Sequence, residues 1–144
     1  MDLSGGQKRR VALAGVIAME PEVLVLDEPA AGLDPGMKSE IFSLIEKIRT
    51  ERGTAVVLVS HEMEDVAKYA DRVLLLSGGR IAMEGDIREV FSQVEKVRAL
   101  GADVPAVTDL MHELQDRGFR FAALETDAHA AAEAIACALG IEGR

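Results

Sequence analysis

The segment Val23–Pro29 constrains the fold of this chain more than any other. Four consecutive apolar residues with high strand propensity are followed directly by Asp27, Glu28 and Pro29. A short unbroken apolar run of this kind is typical of a strand buried on both faces of a parallel sheet. Because ligands bind at the carboxyl ends of such strands, we expect the two carboxylates to stand at a binding edge.

A helix and a second strand follow this segment. Asp34 and Pro35 provide an N-cap and a first helical residue, and apolar residues then recur at three- and four-residue spacing until Gly53. The segment Thr54–Val59 is again largely apolar and rich in β-branched residues. A strand, a helix and a strand in this order predict a right-handed parallel crossover and therefore an α/β fold.

Shorter elements come next. The turn residues Ser77-Gly78-Gly79 stand between two apolar runs and predict a tight antiparallel hairpin. Asp86, with Glu89 three residues later, has the pattern of a capping box at the start of a helix. We expect three elements in this part of the chain: a helix over 62–70, the hairpin over 73–83 and a helix that begins at 86 and runs through 91.

The composition of the chain changes near Leu100–Pro105. Beyond this point the sequence predicts a helix over 107–117, a possible strand at Phe119–Leu124 and an Ala-rich helix over 127–140. The predicted domains are therefore 1–100, with parallel strands and a hairpin, and a small α+β extension over 101–144.

The charge balance argues against one class of function. Twenty-five acidic residues against sixteen basic ones give a net charge of −9, whereas nucleic-acid binding depends on clustered Lys and Arg. We therefore expect no nucleic-acid partner. The longest apolar run, Val11–Met19, is far shorter than the roughly 20 residues that span a bilayer, so it is interpreted as a buried helix.

Two neighbouring carboxylates at the end of a strand can divide the work of phosphoryl chemistry. Asp27 can hold Mg²⁺ through its waters, and Glu28 can polarise a water for attack on phosphorus. Acidic residues are also common in the loops that follow strands. From these two residues alone, both interpretations stay open.

Two further features agree with phosphate chemistry. Ser4, Gly5 and Gly6 open a helix that runs to about Ala18, and the N–H groups and dipole at such a helix start attract an anion. His61 directly follows the second strand, where an imidazole can hydrogen-bond a phosphate and a carboxylate. Each feature has an ordinary alternative, namely a capped glycine turn and a histidine bonded to a backbone carbonyl.

Together these segments resemble the ATP-binding cassette ATPases in order and spacing, from residue 3 to about residue 90. Leu3–Gln7 resembles the signature motif, and Val23–Asp27 resembles the Walker B strand. The resemblance implies a partial P-loop NTPase domain. It also implies roles for single residues. Asp27 binds Mg²⁺ through water, Glu28 is the general base and His61 is the switch histidine. ATP is bound by Ser4, Gly5, Gly6 and Gln7 of the signature motif and by Asp34 of the D-loop.

Within that family, the segments Leu3–Val11, Ala30–Pro35 and Leu100–Phe119 are similar to the ATPase of energy-coupling-factor importers, which take up cobalt, nickel or B-type vitamins. This similarity implies ATP and Mg²⁺ as cofactors and a peripheral position at the cytoplasmic face of the membrane. The implied partners are a second ATPase subunit, a transmembrane T component and a substrate-binding membrane component. The extension over 101–144 would then help to pair the subunits.

The chain departs from this family in one respect. None of its five lysines follows a glycine, so the phosphate loop G-x-x-x-x-G-K-[ST] is absent from these 144 residues. We therefore expect the chain to be the C-terminal half of a nucleotide-binding domain, inactive alone as an ATPase. The alternative is a non-catalytic truncated fragment that only pairs with an intact partner ATPase.

Overall fold

The computed structural model of this chain describes residues 5–141, in two units that meet in the sequence at Ser60 and His61. The first unit contains helix α1 (Gly5–Ile17), strand β1 (Val23–Asp27), helix α2 (Pro35–Arg52) and strand β2 (Ala55–Val59). The second unit contains α3 (Met63–Tyr69), β3 (Arg72–Ser77), β4 (Arg80–Asp86), α4 (Ile87–Phe91), α5 (Val94–Ala99), α6 (Ala106–Asp116) and α7 (Ala128–Ala138). Among the described helices, none combines the length and the apolar character needed to cross a membrane.

In the first unit, the predicted strand–helix–strand arrangement is confirmed. Strands β1 and β2 are parallel, with Val23 opposite Ala55 and Asp27 opposite Val59. Helix α2 ends at Gly53, whose φ of 68° is the left-handed conformation that glycine adopts without steric cost. The helix buries one stripe, which consists of Ile41, Phe42, Ile45 and Ile48.

One face of the β1–β2 sheet is exposed, so the prediction that both faces are buried is wrong. Leu24 is only 2% exposed, but Val23, Val25, Val57 and Val59 are 46–64% exposed. These four valines share one face because side chains alternate along a strand and the paired residues lie side by side. The physical reason is that the sheet of the first unit has two strands, and residues 5–60 bury only the face that carries Leu24.

Helix α1 forms as predicted, but the interpretation of its apolar run as buried is also wrong. Val11 is 61% exposed and Met19, just beyond the helix, is 71% exposed. Gly6 and Leu13 are the buried residues of α1. Apolar residues are spread around this helix, so a single packed stripe cannot cover all of them.

In the second unit, the predicted hairpin is confirmed. Strands β3 and β4 are antiparallel and are joined by Gly78 and Gly79. Both glycines have positive φ values, 56° and 73°, as a two-residue hairpin turn of type I′ requires. Asp86 then caps α4, because its carboxylate accepts a hydrogen bond from the Glu89 N–H at 2.7 Å.

The core of the second unit is built from helices α4 to α7 and strand β3. Its most buried members are Val90, Phe91, Val94, Val97 and Met111, each no more than 1% exposed. This cluster contains residues from before and from after position 100. The domain boundary after residue 100 remains a prediction.

The possible strand at Phe119–Leu124 does not form. Its flanking backbone groups are bound to α6 instead of to a strand: the Phe119 N–H donates to the Leu114 carbonyl at 3.0 Å, and the Thr108 hydroxyl donates to the Glu125 carbonyl at 2.7 Å. The Glu125 N–H contacts the Met111 sulfur at 3.4 Å. A segment that is anchored in this way to a neighbouring helix lacks the regular ladder that defines a strand.

The Ala-rich helix α7 forms as predicted and begins with an Asp127 cap. The carboxylate accepts hydrogen bonds from the His129 and Ala130 N–H groups at 2.9 and 3.0 Å. The hydrogen bond from Ala130 is the main cause that lowers the pKa of Asp127 below its ordinary value; desolvation opposes it, and the hydrogen bond from His129 lowers the pKa further.

A lowered pKa in the folded state means that the cap stabilises α7 above the ordinary aspartate range and loses this effect as the pH falls through the folded value. We therefore expect the amide signals of His129 and Ala130 to shift together below about pH 4. Asp127→Asn should keep the cap, since asparagine caps as well as aspartate, and should abolish this titration. An identical pH dependence in the variant would contradict the assignment.

Candidate active site

Asp27 and Glu28 stand at the carboxyl end of β1, as predicted. Asp27 lies opposite Val59 in the last register position, and the Glu28 N–H donates to the Val59 carbonyl at 2.9 Å. Glu28 has a φ of 46°, a left-handed conformation that costs a non-glycine residue about 1–3 kcal/mol and occurs often at active sites. The chain turns sharply here, and the Ala31 N–H donates back to the Glu28 carbonyl at 3.3 Å.

A cavity of about 240 Å³ lies beside these carboxylates, within the first unit. Most of its wall is apolar, and its charged residues are Arg9, Asp27 and Glu28. The remaining lining residues are Ala12, Leu13, Val16, Leu24, Val25, Leu26, Pro29 and Ile41.

The glycines at the start of α1 differ in their surroundings. Among residues 5–141, no atom lies within 4 Å of a Cβ atom added to Gly5. A Cβ atom added to Gly6 would overlap the Met37 side chain. Gln7 is exposed on the same turn, and Ser4 lies outside the described residues. The role of all four in binding nucleotide remains a prediction.

Asp34 caps helix α2. Its Oδ1 atom accepts a hydrogen bond from the Met37 N–H at 3.0 Å, and Pro35 occupies the first helical position. The cap predicted from the sequence is therefore present. A contact between Asp34 and a nucleotide remains a prediction.

His61 follows the end of β2 by two residues and is the first residue of the second unit. Its side chain is exposed. The switch role that the family resemblance implies for His61 therefore remains a prediction.

The carboxylates at the end of β1 fit a water-rich magnesium site better than a closed protein cage. Among residues 5–141, no three His, Cys, Asp or Glu side chains come together in a group that could hold a metal ion. Mg²⁺ keeps several waters and is commonly bound by one or two carboxylates together with the phosphates of its substrate. Exposed Asp27 is suited to that mode of binding.

Sequence reasoning missed the contacts that connect α1 to the loop after β1. The Arg9 guanidinium donates to the Ala31 carbonyl. Arg10 pairs with Glu40 of α2 at 2.9 Å. No sequence signal identifies these partners, because each contact joins residues more than 20 positions apart.

Known proteins with similar sequences point to one family. The chain is 56% identical over 118 residues to the energy-coupling factor transporter ATP-binding protein EcfA2 of Clostridium perfringens, and 52% identical over 118 residues to the protein of the same name from Clostridium tetani. Each match covers 82% of this chain and 41% of the relative. The chain thus spans about two fifths of the length of these relatives. A family model described as "AAA domain, putative AbiEii toxin, Type IV TA system" matches residues 2–64.

A solved structure agrees with the sequence matches. The structure of cbiO1 from Clostridium perfringens, described as part of the ABC transporter complex cbiONQ, is 43% identical to this chain with a TM-score of 0.58. The match covers 76% of this chain and 44% of that structure. The motifs, the sequence identity and the fold together show that this chain belongs to the ATP-binding cassette ATPases and is similar to the ATP-binding proteins of energy-coupling factor transporters.

Proposed function

We propose that this chain is part of the ATP-hydrolysing subunit of an energy-coupling-factor importer for a metal ion or a vitamin. The observation that carries the proposal is the Asp27–Glu28 pair at the carboxyl end of β1, which lines a cavity in a chain 56% identical to an EcfA2 protein. The partners would be a second ATPase subunit, a transmembrane T component and a substrate-binding membrane component. The subunit would then lie at the cytoplasmic face of the membrane.

The proposed chemistry is the attack of water on the γ-phosphorus of ATP, which releases ADP and phosphate. Glu28 takes the proton of the attacking water, and His61 hydrogen-bonds the γ-phosphate. Mg²⁺, held by Asp27 through water, would neutralise charge on the phosphate oxygens. Ser4, Gly5, Gly6, Gln7 and Asp34 would close over the nucleotide of the second ATPase subunit.

A companion segment is needed for this chemistry, since the 144 residues contain no phosphate loop. We propose that this segment covers the exposed valine face of the β1–β2 sheet and supplies the loop. Two observations support this: the relatives are longer than the chain, and both outer edges of the two-stranded sheet are unpaired within the described residues. On its own, the chain should hydrolyse no ATP.

The experiment that tests the proposal is a chimera. The part of Clostridium perfringens EcfA2 that precedes the matched region is joined to residues 1–144, and ATP hydrolysis is measured with Mg²⁺. The proposal predicts activity in the chimera and none in residues 1–144 alone. A folded chimera that binds ATP without hydrolysing it would favour the non-catalytic alternative.

We also expect residues 1–144 alone to self-associate, because apolar faces and unpaired strand edges drive aggregation. Light scattering after size-exclusion chromatography measures the effect. A variant with Val25→Lys and Val57→Lys should associate less, since both side chains lie on the exposed face and are 64% and 46% exposed. A monodisperse wild-type monomer that unfolds cooperatively would contradict the expectation.

A further inference from the structure

Met37 contacts two segments that the sequence treats as separate motifs. Its backbone N–H donates to Asp34 Oδ1 at 3.0 Å, so it belongs to the cap of α2. Its side chain reaches the start of α1 and occupies the space beside Gly6. One residue therefore joins the loop that carries Asp34 to the turn that carries Gly5, Gly6 and Gln7.

The contact with Gly6 is close. A Cβ atom added there would overlap the Met37 methyl group and would lie 3.0 Å from its sulfur and 3.6 Å from Leu33 Cδ2. Gly6 is buried, whereas the neighbouring Gly5 is exposed. The missing side chain of Gly6 thus makes room for Met37, while no residue in the described part of the chain lies where a Gly5 side chain would begin.

Two other contacts also join α1 to the segment 31–40. The Arg9 guanidinium donates to the Ala31 carbonyl, and Arg10 pairs with Glu40. The side chains of Arg10 and Glu40 are 46% and 63% exposed, and exposed ion pairs of this kind contribute little to stability. The Gly6–Met37 contact and the Arg9 hydrogen bond both join α1 to the segment 31–37.

We propose that Met37 is a positioning residue that couples the Gly5–Gln7 turn to Asp34. A displacement of either segment moves Met37, and Met37 moves the other segment. The importance of this coupling for ATP hydrolysis rests on the proposed function, in which both segments contact nucleotide. A methionine side chain is flexible, so the coupling depends on its volume more than on one fixed shape.

The coupling itself is measured without ATP, from the methyl signal of ¹³C-methionine at position 37 in the chimera. Gly6→Ala should shift this signal, because the new methyl group displaces the Met37 side chain. Gly5→Ala, the matched control, should leave it in place. Asp34→Ala should also shift it, while Asp34→Asn, which keeps the cap, should not. A Met37 signal that is unaffected by Gly6→Ala, or one that is unaffected by Asp34→Ala, would overturn the proposal.

The functional consequence is measured as steady-state ATP hydrolysis by the same chimera. Met37→Ala should lower kcat about tenfold with little change in KM, because small misplacements of positioned groups are costly to the rate. Met37→Leu, which keeps the volume, should retain most of the activity. Equal kcat in Met37→Ala and wild type, or equal loss in Met37→Leu and Met37→Ala, would overturn the positioning role. A wild-type chimera without activity would overturn the proposed function, while the methyl signal would still decide the coupling.

Discussion

Replacement of Glu28 by glutamine should lower the kcat of the chimera about 10²–10⁴-fold, the usual contribution of a general base. Glutamine has nearly the same size and shape as glutamate, but its amide cannot accept the proton of the attacking water. The backbone hydrogen bond from the Glu28 N–H to the Val59 carbonyl stays available in the variant. We therefore expect the chemical step to fail while the fold of the first unit is kept.

The matched control is Glu22→Gln, since Glu22 is an exposed acid just before the opposite end of β1. This variant should hydrolyse ATP at the wild-type rate. ATP affinity, measured by equilibrium binding, should be similar in wild type and in Glu28→Gln, because the phosphate loop of the companion segment provides most of the binding. If the kcat of Glu28→Gln were within threefold of the wild-type value, Glu28 would not be the general base.

The second large effect concerns stability. Phe91 is fully buried in the core of the second unit, so Phe91→Ala should lower its free energy of unfolding by about 3–5 kcal/mol. The cost combines the lost transfer free energy of the ring with the cavity that it leaves. Denaturant unfolding of the chimera, followed by amide signals of α4 and α6, measures this value.

Leu76→Ala is the control, because Leu76 is 73% exposed on β3 and its truncation leaves no cavity. Its free energy of unfolding should stay within about 0.5 kcal/mol of wild type. Equal effects of the two substitutions would mean that Phe91 does not lie in a packed core.

Local signals predicted most of the first unit. Asp34 and Pro35 at the start of α2, and Gly53 at its end, provide caps whose geometry follows from residue type alone. The register of β1 and β2 then brings Asp27 level with Val59. A local signal also predicted the hairpin, because the two consecutive glycines adopt the positive φ values that the turn requires.

The failures have physical causes too. Helix α5 was not predicted, because it is short and its N-cap residue Gln93 makes no capping side-chain bond. Phe119–Leu124 has the composition of a strand but is held by bonds to α6, which depend on tertiary packing. The glycine pattern at Gly5 and Gly6 predicts room for an anion. It does not reveal that Met37, 31 residues after Gly6, fills the room at Gly6.

The most direct test of the role of Asp27 and Glu28 is the position of the metal–nucleotide complex along β1. With Mn²⁺ in place of Mg²⁺ and a non-hydrolysable ATP analogue bound to the chimera, paramagnetic broadening reports proximity to the metal. Val23 and Asp27 are separated by about 13 Å along the strand, at about 3.3 Å per residue. We predict strong broadening of the amide signals of Asp27 and Glu28 and weak broadening of that of Val23. Equal broadening at both ends of β1, or none at Asp27 and Glu28 with the analogue bound, would contradict the account.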